Sequence, residues 1–155
     1  MSTDDETELL SSLIAFITAW TSVRTQGRIA AEVGVAIPES DVRALFTLGM
    51  FGKPVRPAQL ADELQITRPT MSKMIGRLEE SGLVTRSAST DDARGTLVSL
   101  TRAGSDAYAR IAEAAESYVH AALDGVPPGT AQTISGVMRH LIDELPGQTD
   151  TARGR

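Results

Sequence analysis

The sequence contains no cysteine. That excludes a disulfide framework, a thiol nucleophile, Cys-ligated zinc and a cysteine-based redox sensor, and it agrees with a reducing compartment. Also missing is any apolar run approaching the ~20 residues a membrane span needs, so no membrane partner is expected. The opening "MSTDDETE" is acidic where a secretory signal carries a basic n-region, and no small-residue cleavage site follows; cytoplasmic residence is expected. No strand precedes a G-x-G-x-x-G or G-x-x-x-x-G-K pattern, and no G-x-S-x-G elbow is present. The two histidines, His120 and His140, lie on separate predicted helices, where an isolated histidine is more often a surface or packing residue than a ligand. No cofactor or metal is called for, and an enzyme is not expected.

What is present suits a globular chain. Its 155 residues fit one domain, 1–155, long enough to bury roughly 68 to 70% of the surface of the unfolded form without a staple. Hydrophobic residues make up 41% and charged residues 23%, ordinary for a soluble protein. The net charge of −5 is unevenly placed: from Ile66 to Arg102 six basic residues face four acidic ones, giving +2 and leaving −7 for the rest. An acidic body with a mildly basic middle can still offer phosphates a local positive surface, although ordinary solvated faces produce the same asymmetry.

Apolar residues Leu9, Leu13, Phe16 or Ile17, Trp20 and Val23 recur at three- and four-residue steps, which predicts one long helix over residues 5–31. Ser40 can cap a second helix with Val42, Leu45, Phe46 and Met50 on its apolar side, stopped by Gly52 and Pro54. Pro57 opens a two-turn helix carrying Leu60, Ala61 and Leu64. Another helix follows almost at once, with Thr67 as N-cap, Pro69 in its first turn and Gly82 at its end, the layout of a helix-turn-helix. The period then changes to two, with Val84 and Arg86 before a polar loop of about seven residues and Thr96, Val98 and Leu100 after it, which predicts a hairpin. Thr101 can cap a long helix from 102 to 123, and "DGVPPGT" separates it from a last helix over 131–145. The tail, residues 146–155, has almost nothing to bury and is expected to be disordered.

The helix after Thr67 carries the functional signal. Met71, Met74, Ile75 and Leu78 form a core-facing stripe, which places Thr70, Lys73 and Arg77 on the opposite side, with Arg68, Pro69 and Ser72 at the N-terminal end. Free backbone N–H groups and hydroxyls there can anchor phosphates, and Arg or Lys can reach guanine edges. Taken alone, such a helix is more often merely a solvated amphipathic one. A hairpin directly after a helix-turn-helix makes a winged helix, in which the second helix enters the major groove and the hairpin tip reaches backbone or minor groove.

The run "PAQLADELQITRPTMSKMIGRLEESGLVTR" through "DDARGTLVSLTRAG" resembles the MarR family of bacterial transcriptional regulators. The most discriminating piece is D-x-R, an alternating strand and L-T-x-x-G, present as Asp92, Arg94, Leu100, Thr101 and Gly104. The resemblance implies a mainly α fold of about six helices plus a two-stranded wing, with residues 38–101 as the DNA-binding region and the helices of 5–35 and 102–145 forming a homodimer on a pseudopalindromic operator. It also implies a ligand-responsive repressor. Thr67, Arg68, Pro69, Thr70, Ser72, Lys73 and Arg77 match the recognition-helix segment; Arg94, beside Gly95, matches the wing arginine, and Asp92 the acid that braces it. The wing tip, "STDDARGT", departs from the family in holding Arg94 as its single basic residue. For Asp91 and Asp92 the alternative is a metal or acid/base pair, which would need more oxygens and a nearby His. Family members often bind small aromatic or phenolic effectors, so Phe16, Trp20, Arg24, Phe46 and Met50 either line such a pocket or pack as ordinary core. The rival function is a winged-helix protein-interaction module that does not bind DNA.

Overall fold

The computed structural model describes residues 3–89 and 95–146. Its elements, in chain order among the described residues, are α1 (Thr3–Trp20), α2 (Val23–Glu32), α3 (Glu39–Phe51), α4 (Pro57–Leu64), α5 (Arg68–Glu80), β1 (Val84–Ala88), β2 (Thr96–Leu100), α6 (Arg102–Ala122) and α7 (Thr130–Glu144). Two compact units make up the chain, Met1–Ala115 and Glu116–Arg155, and α6 runs from the first into the second.

The single long first helix expected over 5–31 is two helices. The Ile17 carbonyl still accepts from the Thr21 N–H at 2.9 Å and from its hydroxyl at 2.7 Å, and the break comes at the next residue, where Ser22 turns to an extended conformation with φ −60° and ψ 128°. The Gln26 side-chain amide then donates to the Trp20 carbonyl at 3.3 Å, satisfying one of the acceptors that the break releases. The consequence is a division of labour. No residue of α1 is buried, whereas α2 buries Gly27, Ile29 and Ala30 and packs on α3. At Gly27 an added Cβ would lie 2.3 Å from Glu39 Cγ, so glycine permits that approach.

Helix α3 starts one residue before the expected cap: Pro38 occupies the N-cap position, and Ser40 donates its hydroxyl to Asp41 Oδ1 at 3.0 Å instead of capping. Its end is as expected, with Gly52 in the left-handed region at φ 62°. Helix α4 opens on Pro57 and ends at Gln65, which adopts φ 53°, the one non-glycine with positive φ among the described residues. This residue makes the sharp turn into α5, where a left-handed conformation would ordinarily select glycine or asparagine. Thr67 caps α5 as expected, accepting from the Thr70 N–H at 3.3 Å.

β1 and β2 pair antiparallel from Val84 opposite Leu100 to Ala88 opposite Thr96, and Ser89 N–H donates to the Gly95 carbonyl at 2.7 Å. Val55 adds a bridge on the other side of β2, exchanging two hydrogen bonds with Val98. The core lies where these elements meet: Leu45, Leu60, Met71, Ile75, Leu78, Val84 and Val98 are all essentially inaccessible. Thr101 caps α6, accepting from the Gly104 N–H at 3.0 Å and donating to the Gly82 carbonyl at 2.6 Å. This contact holds the start of α6 so close to the chain after α5 that a Cβ at Gly104 would fall 1.9 Å from the Leu83 carbonyl oxygen. The L-T-x-x-G pattern thus records a close approach of two backbones.

In the second unit Gly125 and Gly129 take positive φ in the break between α6 and α7, as "DGVPPGT" predicts, and no α7 residue is buried. Among the described residues no helix is long and apolar enough to cross a membrane. Residues 147–155, which hold nearly all of the tail expected to be disordered, lie outside the described residues.

Candidate nucleic-acid interface

One side of α5 is sealed and the other open. Met71, Met74, Ile75 and Leu78 are buried, as the stripe predicts, while Thr67, Arg68, Pro69, Thr70, Ser72 and Lys73 are all exposed. Two expectations change in detail. The N-terminus is not rich in free amides, because Pro69 has none and the Thr70 N–H is taken by Thr67, whose hydroxyl also bonds the Thr70 hydroxyl at 2.8 Å. Contacts to an anion from this end therefore fall mainly to the side chains of Arg68, Ser72 and Lys73.

Arg77 is the second. Expected on the open side with Thr70 and Lys73, it sits at the flank of the buried stripe and reaches across to α3, where Nε donates to Asp41 Oδ2 at 2.7 Å and Nη2 to Asp41 Oδ1 at 2.5 Å. Asp41 is fully buried and the Arg77 side chain is 41% exposed. The hydrogen bonds to Asp41 raise the Arg77 pKa further above its ordinary value, with desolvation opposing and the charges of Asp41 and Glu80 adding to the rise. One edge of the guanidinium, its Nε and Nη2 N–H groups, is committed to fixing α5 on α3, so its first role is positional. Asp41 escaped the sequence reading, although a signal existed: Asp41, Leu45 and Leu48 fall at i, i+4 and i+7 on the core side of α3, and an acid there demands a partner.

Beyond α5, Arg86 at the base of the wing pairs with Glu79 at 3.1 Å on the surface. Gly95 is half-buried at the start of the returning strand. Asp91, Asp92 and Arg94, assigned to the wing tip, lie outside the described residues. Among the described residues no group of three or more His, Asp or Glu is placed to hold a metal ion.

The residues proposed for an effector come together in part. A cavity of about 30 Å³ is lined by Trp20, Gln26, Ile29, Val42, Phe46 and Ile111, so two of the five take part. Phe16 stacks on Trp20 with centroids 5.7 Å apart but is itself 57% exposed, Arg24 is exposed, and Met50 is 68% exposed.

Comparison with known proteins agrees with this geometry. The model of the MarR family matches residues 37–95, from the approach to α3 through the wing loop. No curated protein sequence matches the chain. Among solved structures, a probable transcriptional regulator from Pseudomonas aeruginosa is 31% identical over 86% of this chain and 99% of that one, with a TM-score of 0.58. A MarR family transcriptional regulator from Silicibacter pomeroyi is 28% identical over 96% and 95%, with a TM-score of 0.71. FabT of Streptococcus pneumoniae, solved in complex with DNA, shares the fold at 19% identity over 92% and 96%, with a TM-score of 0.65. With a winged helix in place, the family model matched over residues 37–95 and full-length likeness to these regulators, the chain belongs to the MarR family of transcriptional regulators.

Proposed function

We propose that this regulator is a ligand-responsive repressor that binds a pseudopalindromic operator as a homodimer in the bacterial cytoplasm. The observation that carries the proposal is α5: its apolar side is sealed, Arg77 ties it to α3, and its N-terminal half presents Arg68, Ser72 and Lys73 to the outside. A helix held in this way and bearing cations at its exposed end suits a major groove, with Arg94 of the wing reaching the backbone or minor groove beside it. The DNA in the FabT structure supports the same use of the fold. The homodimer draws support from α1, whose Leu9, Leu10, Ile14, Phe16 and Ile17 are 43 to 57% exposed on a helix that buries nothing. Two α5 helices related by a two-fold axis would enter successive major grooves about 34 to 36 Å apart. An effector at the Trp20 cavity would have to widen it, since drug-sized ligands occupy roughly 300 to 1,000 Å³.

The test is selection of bound fragments from the source genome, followed by anisotropy titration of the selected site against random DNA. Tight binding to a palindromic fragment that weakens with salt is the expected result. Equal, weak binding to every sequence would instead favour a winged helix used for protein contacts, and the acidic total charge would then be its explanation.

A further inference from the structure

A larger hollow, about 220 Å³, opens between the last turn of α3, the end of β2 and the first turns of α6. It shares no lining residue with the Trp20 cavity. Two glycines shape it. At Gly49 an added Cβ would lie 2.3 Å from the Tyr108 ring, so the ring rests against bare helix backbone, and at Gly52 an added Cβ would meet nothing within 4 Å. Lys53 is the one charged residue lining the hollow among the described residues, and none of the lining residues is acidic. Ser99, Ser105 and Tyr108 add three hydroxyls, and neither these nor Lys53 is hydrogen-bonded through its side chain to another described residue. Leu48 and Leu100 supply an apolar wall.

A cation with three hydroxyls and no carboxylate selects an anion, because every one of these groups can donate and the ammonium cannot accept. The apolar wall favours an organic anion over a fully hydrated inorganic one, since only the former gains from leaving water there. We propose that this hollow binds a small organic carboxylate, its charge on Lys53 and the neighbouring hydroxyls and its apolar body against Leu48, Leu100 and Tyr108. The site touches the base of the wing on both sides of one bridge: Lys53 and Pro54 precede Val55, and Ser99 follows Val98, its bridge partner. Occupancy therefore bears on how β2 is held, and, given the DNA-binding function proposed above, on operator affinity.

The binding step is tested without DNA by titrating the full chain with benzoate and following backbone amide signals by NMR. Saturable shifts at Gly49, Gly52, Lys53 and Ser105 are expected, with Lys53→Ala weakening binding about tenfold and Lys53→Arg retaining most of it. Lys53 is exposed, so the variant should fold, and circular dichroism checks this. Shifts confined to Trp20, Ile29 and Phe46, unchanged affinity in Lys53→Ala, or absence of saturation would each overturn the site. Sulfate binding as tightly as benzoate would overturn the organic carboxylate. Lost operator affinity in Lys53→Ala without any benzoate binding would show a phosphate contact instead. Saturable benzoate binding that leaves operator affinity unchanged would overturn the coupling to the wing, whereas a chain that binds benzoate but no operator would count against the DNA-binding proposal alone.

Discussion

Arg77 of α5 holds Asp41 of α3 through two hydrogen bonds of 2.7 and 2.5 Å, with the carboxylate fully buried and the guanidinium partly open to solvent. The asymmetry decides which partner matters more. Without Asp41 the arginine can swing into water, but without Arg77 the carboxylate is left buried with Ser40 as its remaining hydrogen-bond partner among the described residues.

Arg77→Ala should therefore lower the melting temperature more than Asp41→Asn, which keeps the shape of the buried group. Equal losses would mean that the pair is not the brace for α5. The pH dependence follows from the raised Arg77 pKa: a base raised in the folded state keeps its contribution below its unfolded pKa and loses it only as pH rises through the folded one. Arginine ordinarily titrates far above the physiological range and the shift is upward, so the guanidinium stays charged throughout and its contribution should be constant between about pH 6 and 9. Melting curves of the parent chain and of Arg77→Ala across that range should stay a constant distance apart.

Gly104→Ala should be among the most damaging small changes. Its Cβ would fall 1.9 Å from the Leu83 carbonyl, against backbone that cannot rotate away, so α6 or the chain after α5 must shift. A loss of about 3 kcal/mol, at the upper end for overpacking, is expected from urea unfolding. Gly76→Ala is the internal control, because a Cβ there meets nothing within 4 Å and helix propensity favours alanine.

At the turn between α4 and α5, Gln65 holds φ 53° with a side chain that raises the cost of that conformation. Gln65→Gly should stabilise the chain by about 0.5 kcal/mol, the relief of left-handed strain less the added entropy of the unfolded state. Gln65→Val should destabilise it by about 1 to 2 kcal/mol. Guanidinium unfolding of the two variants checks both signs.

On DNA, Lys73→Ala, Arg68→Ala and Arg94→Ala should each weaken binding. Where the lost contact is to phosphate, the slope of log K against log salt becomes shallower by about 0.9 and sequence preference is kept. Where it is to a base edge, discrimination at one operator position falls by about 1 to 3 kcal/mol. Arg77→Lys is the contrasting case: a lysine cannot reproduce the bidentate hold on Asp41, so affinity should fall for every sequence through displacement of α5. Anisotropy titrations at several salt concentrations separate these outcomes.

Much of the fold was legible because its signals are local. The apolar stripe of Met71, Met74, Ile75 and Leu78, the Thr67 cap, the change of period after Gly82 and the Thr101 cap need only neighbours in sequence, and each stands where expected. The break at Thr21 and Ser22 was not legible, because apolar spacing runs through it and the hydroxyl bond of Thr21 to the carbonyl four residues back is one that Thr7, Ser11 and Thr18 also make inside unbroken α1. Of the residues proposed for an effector, Trp20 and Phe46 line one cavity and Phe16 stacks on Trp20, and the meeting of Trp20 with Phe46 joins segments too far apart in sequence for a local pattern to show.

Apart from the break between α1 and α2, the sequence by itself therefore determined which segments are helix and strand, their order, the buried side of α5 and the family, all of them matters of periodicity, capping and motif. Only the tertiary structure decided that Arg77 is a brace as well as a cation, that Gly104 answers to a carbonyl 1.9 Å from its missing Cβ, and that Lys53 meets Ser99 and Ser105 around a hollow. Those facts join residues tens of positions apart, and which distant groups meet is set by how whole elements pack, a quantity that no local pattern contains.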